Sequence, residues 1–275
     1  MQRLSTRVVA PVLEVFASVQ GEGLYVGEPQ VLLRLRGCPL RCRYCDTPGC
    51  FPAEASAAAR VAAPGGARRE PGWVTPFQAA CWIAEAEPGE PRTVSVTGGE
   101  PLLWPDFLVE LSKMVGERPL HLETAGGHPE ALERVLGLFR HVSLDLKLPA
   151  DLDPPVELDG DSTPAAVALP GAERAPRDER EWAVARRRSL ELVAQHDACA
   201  KIVVASERAV RDYDPLLEDL ARCAPRVPLV LQPVTPLRGL SAPSLETITD
   251  IAERARELEL SVRVLPQVHR VLSAP

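Results

Sequence analysis

The 275-residue sequence has no basic excess: 31 Lys and Arg stand against 38 Asp and Glu, for a formal net charge of −7. A general nucleic-acid-binding surface is thereby excluded, since it needs surplus cations to displace counterions from phosphates. No stretch approaches the roughly 20 apolar residues of a membrane span. The first residues, Met1-Gln2-Arg3-Leu4, lack the apolar run of a secretory signal. No internal repeat is visible. Seven cysteines are an odd number, which speaks against a framework of disulfides. The expectation is a soluble, cytoplasmic protein without nucleic-acid or membrane partners. Its 45% hydrophobic residues can fill a sizeable core, and one domain over 1–275 is an ordinary size.

Against these absences stands one dense stretch, Gly37-Cys38-Pro39-Leu40-Arg41-Cys42-Arg43-Tyr44-Cys45-Asp46-Thr47. The spacing is Cys-x3-Cys-x2-Cys, with no fourth cysteine at ligand spacing. A cubane iron–sulfur cluster has four irons, so three thiolates leave one iron open to a small molecule. A structural zinc site is the alternative, with Cys50 as fourth ligand. The Pro48-Gly49 turn is expected to carry Cys50 away.

Hydrophobic periodicity predicts alternating elements. Strands are expected over 8–17, 29–36, 92–97, 120–123, 141–146, 200–205, 227–231 and 260–265. Helices are expected over 76–87, 105–117, 129–139, 179–195, 206–222 and 243–258, the first opened by Thr75-Pro76 and the fifth by Ser206. Such alternation implies an α/β fold of βαβ units, a parallel sheet curled toward a full or partial TIM-type (β/α) barrel. Ligand-binding residues then fall at the C-terminal ends of strands. Two segments, about 48–74 and 148–178, break the pattern. The first is poor in large apolar residues and the second rich in Pro, Asp and Ala, so both read as mobile insertions.

Several further motifs sit at strand ends. Val96-Thr97-Gly98-Gly99-Glu100-Pro101 places two glycines where a ligand can approach backbone. Glu123-Thr124 either caps a helix or lines a site. In Ser143-Leu144-Asp145-Leu146-Lys147, Asp145 and Lys147 share one face. Arg34 and Arg36 likewise share a face, opposite Leu33 and Leu35.

The cysteine spacing resembles that of the radical S-adenosylmethionine (SAM) superfamily. Val19-Gln20-Gly21-Glu22-Gly23, Arg34 and Cys45-Asp46-Thr47 narrow the likeness to the 7-carboxy-7-deazaguanine synthases. The resemblance is dense over 13–47 and returns at 96–101, 143–149, 232–234 and the tail. It implies the superfamily's partial or modified barrel, and a lyase of queuosine biosynthesis that contracts the ring of 6-carboxy-5,6,7,8-tetrahydropterin with loss of ammonia. A [4Fe-4S] cluster would be held by Cys38, Cys42 and Cys45. SAM would be held by Tyr44, Cys45, Asp46, Gly99, Glu100, Asp145, Leu146, Lys147 and Gln232, although Tyr44 also reads as ordinary packing. Mg2+ would sit at Thr47, unless that residue caps a helix. Val19, Gln20, Gly21, Glu22, Arg34, Thr97 and the terminal Pro275 would touch the pterin. A homodimer and a flavodoxin- or ferredoxin-type electron donor are implied. Two alternatives stay open: an activase of the same superfamily that places a glycyl radical on a partner, and a non-catalytic metal-binding module.

Overall fold

A computed structural model describes residues 8–54, 56–87, 89–155, 175–237 and 239–272. In chain order the elements are β1 (Ala10–Val19), β2 (Pro29–Leu35), β3 (Arg41–Cys42), β4 (Ala58–Ala63), β5 (Gly66–Pro71), β6 (Trp73–Val74) and α1 (Pro76–Ala86). They continue with β7 (Val94–Gly98), α2 (Pro105–Met114), β8 (Leu120–Thr124), α3 (Pro129–Val135), β9 (His141–Asp145) and β10 (Leu152–Asp153). The last third holds α4 (Glu179–Val193), β11 (Ala198–Val204), α5 (Asp214–Cys223), β12 (Leu229–Pro233), α6 (Leu245–Glu257), β13 (Val262–Val264) and α7 (Val268–Val271).

The strands β2, β7, β8, β9, β11, β12 and β13 run parallel in that order. From β7 onward each is joined to the next by a helix, as the alternation predicts. Side chains Val94, Leu122, Val142, Ala200, Ile202 and Leu229 are fully buried beneath Trp82, Leu111, Leu132, Val193 and Leu217 of the covering helices. Arg34, Thr97, Glu123, Asp145, Lys201 and Gln232 come from strands across this whole path, yet all line one cavity. The sheet therefore curls around that cavity. It does not close: the strand order ends at β13 on one side and β5 on the other. This is the partial barrel expected from the sequence.

Helix starts follow local chemistry. Thr75 accepts from the Gln78 amide and Ser244 from the Thr247 amide, capping α1 and α6. The helix expected from Ser206 does not form there. A 3-10 turn covers Val210–Tyr213, and α5 starts at Asp214 with Pro215 in its first turn. Proline has no N–H for a helix interior but suits a helix start, so it divides the segment.

The segment at 48–74 is not an unstructured insertion. β4 adds to β1 in parallel, with Val15 opposite Val61, and β5 returns antiparallel to β4. Ala59 and Val61 are buried in the main core. Strand addition is held by backbone hydrogen bonds, and small side chains suit a strand lying under a helix, so large apolar residues were not needed. Part of 148–178 is also ordered. Leu152 and Asp153 pair with Cys42 and Arg41, which braces the cysteine loop. Residues 156–174 lie outside the described residues.

Candidate active site

The cysteine loop leaves β2 through Gly37, whose φ of +86° is the left-handed region that glycine tolerates. Its amide donates to the Cys50 carbonyl at 2.8 Å. Arg41 ties the loop to itself, donating to the Cys38 and Leu40 carbonyls at 2.7 and 2.8 Å, while its guanidinium lies 4.4 Å above the Phe51 ring. Cys38 packs with Leu40, Ala175 and Trp182 of α4. Cys38, Cys42 and Cys45 are free thiols facing one cavity of about 180 Å³. Cys50 joins them, contrary to expectation. The Pro48–Cys50 stretch is a 3-10 turn that folds back, bringing the Cys50 thiol into hydrogen-bond contact with Cys45. That bond draws the Cys45 thiol down to about 7, whereas burial pushes Cys42 up to about 11 and Cys38 higher still. Soft thiolates on one loop fit an iron–sulfur cluster. Four thiols so placed also suit zinc, and the donor set alone does not choose between them.

The Gly98-Gly99 turn lies directly against this loop. The Gly99 amide donates to the Leu35 carbonyl and the Glu100 amide to the Gly37 carbonyl, both at 2.9 Å. A Cβ on Gly99 would lie 2.3 Å from the Gly37 oxygen, so only glycine permits the approach. Glu100 does not line the cavity. Its carboxylate accepts from the Leu102 and Ala125 amides at 3.0 and 2.9 Å and from the Thr124 hydroxyl at 2.7 Å. It joins the turn after β7 to the end of β8. Leu146 is likewise buried in the core, and its amide donates to the Lys201 carbonyl.

Beyond the cysteines the wall is charged. Lys147 donates to Asp145 at 2.7 Å and sits 5.2 Å over the Tyr44 ring. Asp145 also pairs with Lys201 at 3.1 Å, and Lys201 bonds Glu22. Burial alone would push the Asp145 carboxyl up, but Lys147 and Lys201 outweigh it and hold the carboxyl below its usual range. Gln232 Oε1 is buried without a hydrogen-bond partner, and Asp145 Oδ1 has only the Lys201 ammonium, at 3.1 Å. An unpaired acceptor beside a carboxylate on a cavity wall fits a ligand that brings hydroxyl or amino donors, as the ribose and amino group of SAM do.

One strand over, on β8, Glu123 is the centre of a second polar group. Its carboxylate accepts from Gln20 at 2.8 Å, Thr97 at 2.8 Å and Ser95 at 3.4 Å. Val19, Gly21 and Glu22 line the cavity beside Gln20. Arg34 pairs with Glu14 at 3.0 Å and donates to the Thr47 hydroxyl at 3.1 Å. Thr47 in turn donates to Asp46 at 3.0 Å, which leaves one hydroxyl lone pair for a cation. Carboxylate oxygens of Glu22 and Asp46 and a His269 ring nitrogen lie within 4.8 Å of one another, so hard oxygen donors adjoin Thr47 and Mg2+ fits. Burial raises the Asp46 carboxyl, yet bonds from His269 and Thr47 and the nearby Arg34 and Arg270 hold it far below the usual carboxylate range.

The chain's last described turn covers this wall. Gln267 donates to Glu22 at 2.6 Å and to Asp46 at 3.2 Å, and the Val268 amide donates to the Gly21 carbonyl. Pro275 lies outside the described residues. Apart from it, every expected site residue lines the cavity except Glu100 and Leu146. Cys50 and Lys201 were not expected there, Glu123 was left between capping and lining, and Gln267 and His269 of the tail, which the resemblance points to as substrate contacts, line the cavity. For Lys201 a signal existed: a lone lysine inside the apolar run Ala198-Cys199-Ala200-Lys201-Ile202-Val203-Val204.

A sequence model of the Radical SAM superfamily matches residues 32–158. The chain is 33% identical over 266 residues to the 7-carboxy-7-deazaguanine synthase of Methanothermobacter thermautotrophicus, covering 96% of this chain and 97% of that one. The chain belongs to the 7-carboxy-7-deazaguanine synthase family. A second member, from Geobacter sulfurreducens, is 32% identical with 94% and 95% covered. Among solved structures, QueE from Escherichia coli superposes with a TM-score of 0.54 at 19% identity over 93% of each chain, which shows the shared fold. Family membership decides between cluster and zinc: the chain is a radical SAM lyase whose cofactors are a [4Fe-4S] cluster, SAM and Mg2+.

Proposed function

We propose that this single-domain chain contracts the ring of 6-carboxy-5,6,7,8-tetrahydropterin to 7-carboxy-7-deazaguanine, with loss of ammonia. When bound, the cluster and SAM would supply the one-electron chemistry that removes a hydrogen atom from C6 of the substrate. The protein's own part is positioning and exclusion of water. Cys38, Cys42 and Cys45 hold the cluster. Tyr44, Cys45, Asp46, Gly99, Asp145, Lys147 and Gln232 receive SAM, with Glu100 bracing the turn beneath. Arg34 would hold the substrate carboxylate by charge, and Thr47 would offer its hydroxyl to Mg2+, which would supply charge stabilisation for the substrate. Val19, Gln20, Gly21, Glu22 and Thr97 face the heterocycle. A cytoplasmic homodimer, reduced by a flavodoxin- or ferredoxin-type protein, completes the proposal.

The observation that carries this reading is the meeting of two chemistries in one cavity. Thiols, the unpaired Gln232 acceptor and the Asp145 carboxylate line it together with a polar array centred on Glu123. The test is anaerobic reconstitution followed by dithionite, SAM, Mg2+ and the carboxytetrahydropterin, with products read by mass spectrometry. Deazaguanine is expected. If 5′-deoxyadenosine forms without it, the substrate is wrong while the radical chemistry stands.

A further inference from the structure

Lys201 has no part in the scheme above, yet it occupies the middle of the cavity wall. Its side chain is 6% exposed and enters from β11, directly beside Asp145 in the strand register. The ammonium meets Glu22 from the turn after β1 and Asp145 from the end of β9. Of those two carboxylates, Asp145 is assigned above to SAM and Glu22 to the pterin. Asp145 continues to Lys147 and Tyr44 on the cysteine side. Glu22 continues to Gln267 and, through its amide, to Gln20 on the Glu123 side. One cation thus links the two.

The charges explain why the link is stiff. Burial alone would strip a lysine of its proton, but Asp145 and Glu22 keep Lys201 charged. It is therefore a fixed cation and not a proton shuttle. Without it, two half-buried carboxylates would share the wall with less compensation, and neither would keep its present rotamer at low cost. The Asp145 oxygen that faces Lys201, at 3.1 Å, has no other partner and so has room for a second donor; a ligand donating there orders Asp145 and, through Lys201, Glu22.

We infer that Lys201 is a positioning residue that couples the two ligands: SAM at Asp145 and pterin at Glu22 each favour binding of the other through this shared ammonium. The inference rests on the proposed assignment of Asp145 to SAM and Glu22 to pterin. Coupling between two ligands is reciprocal, so either can be titrated.

The experiment uses holoenzyme with its cluster left oxidised, so that SAM binds without cleavage. Calorimetry under nitrogen gives the Kd for SAM with and without saturating 6-carboxy-5,6,7,8-tetrahydropterin. In the unaltered enzyme the pterin should tighten SAM about tenfold. Lys201→Met should reduce this to under about twofold, with iron content unchanged. Lys201→Arg, which restores the charge, should keep most of the effect. Glu22→Gln approaches the link from the carboxylate side without touching β11, and should lose the coupling too; the double variant should lose no more than either single one. Full coupling in Lys201→Met, or equal loss in Lys201→Arg, overturns the role. An unaltered enzyme that binds both ligands independently sinks the coupling alone. One that binds SAM but never the pterin sinks the substrate assignment, and the coupling with it.

Discussion

Three donors converge on the Glu123 carboxylate, from Gln20, Ser95 and Thr97. Glu123→Gln keeps the shape but turns an amide donor toward side chains that already donate. A hydrogen bond to a charged group contributes about 1.5–3 kcal/mol, so kcat/KM for deazaguanine formation should fall roughly 10- to 100-fold. Comparing that rate with 5′-deoxyadenosine release checks it: a parallel fall in both would mean the residue serves SAM and not the substrate. Gly99→Ala is a second residue-scale case. The new methyl meets backbone, 2.3 Å from the Gly37 oxygen, so the loop ahead of Cys38 must shift. Iron per chain after reconstitution should fall to less than half of the expected four or so; full iron with normal affinity for SAM would contradict the close approach. The cysteines were legible because their spacing is local chemistry. Lys201 was not, because its meaning depends on Asp145 one strand away and Glu22 on a distant turn. Glu100 was half legible: its motif fixes a turn, but the direction of its carboxylate is decided by the Thr124 and Ala125 groups of the next strand.

Elements, too, were readable where the pattern is local. α1, β7, β8 and β9 follow from period and caps within a residue or two. The β4–β5 hairpin escaped because its small residues carry no strong periodic signal, and its pairing partner β1 lies about 45 residues earlier. The turn between β1 and β2 shows how an element without regular structure is held. Tyr25 lies against the His121 and His141 rings, at 4.5 and 4.6 Å between centroids, and its hydroxyl donates to Asp197 at 2.7 Å. The same turn is closed by the Gly27 amide on the Gln20 carbonyl. Tyr25→Phe removes one hydrogen bond while keeping the ring, a loss of about 0.5–1.5 kcal/mol in stability. Because Gln20 and Glu22 ride on this turn, KM for the pterin should rise several-fold while the affinity for SAM alone stays unchanged. Urea unfolding and a KM measurement on the same preparation test both halves, and an unaltered KM would separate the turn from the site.

For the molecule as a whole, acid acts in two opposing directions. The net charge of −7 shrinks as pH falls below neutrality, which relieves self-repulsion and favours the compact state. The cluster of rings between β8 and β9 works the other way. Burial pulls His121 down to about 4, and burial also lowers His141 although Asp197 partly offsets it. A histidine whose pKa is lower when folded binds its proton more readily in the unfolded chain. Between about pH 6.5 and 4 the unfolded state therefore gains protons that the folded state refuses, and stability is lost as pH falls through that window. For His121 alone the loss reaches ~2 kcal/mol at pH 5. Its Nδ1 lies 3.2 Å from the Gln30 amide nitrogen and accepts from it, which is the neutral ring's arrangement, and its buried Nε2 has no hydrogen-bond partner. His121→Gln removes the titration, so its urea midpoint should fall less than the parent's between pH 7.5 and pH 5. Measuring both as holoenzymes cancels any acid loss of the cluster and the change in overall charge. Parallel midpoints for the two proteins would place the acid sensitivity in the carboxylates and free the base of the barrel from it.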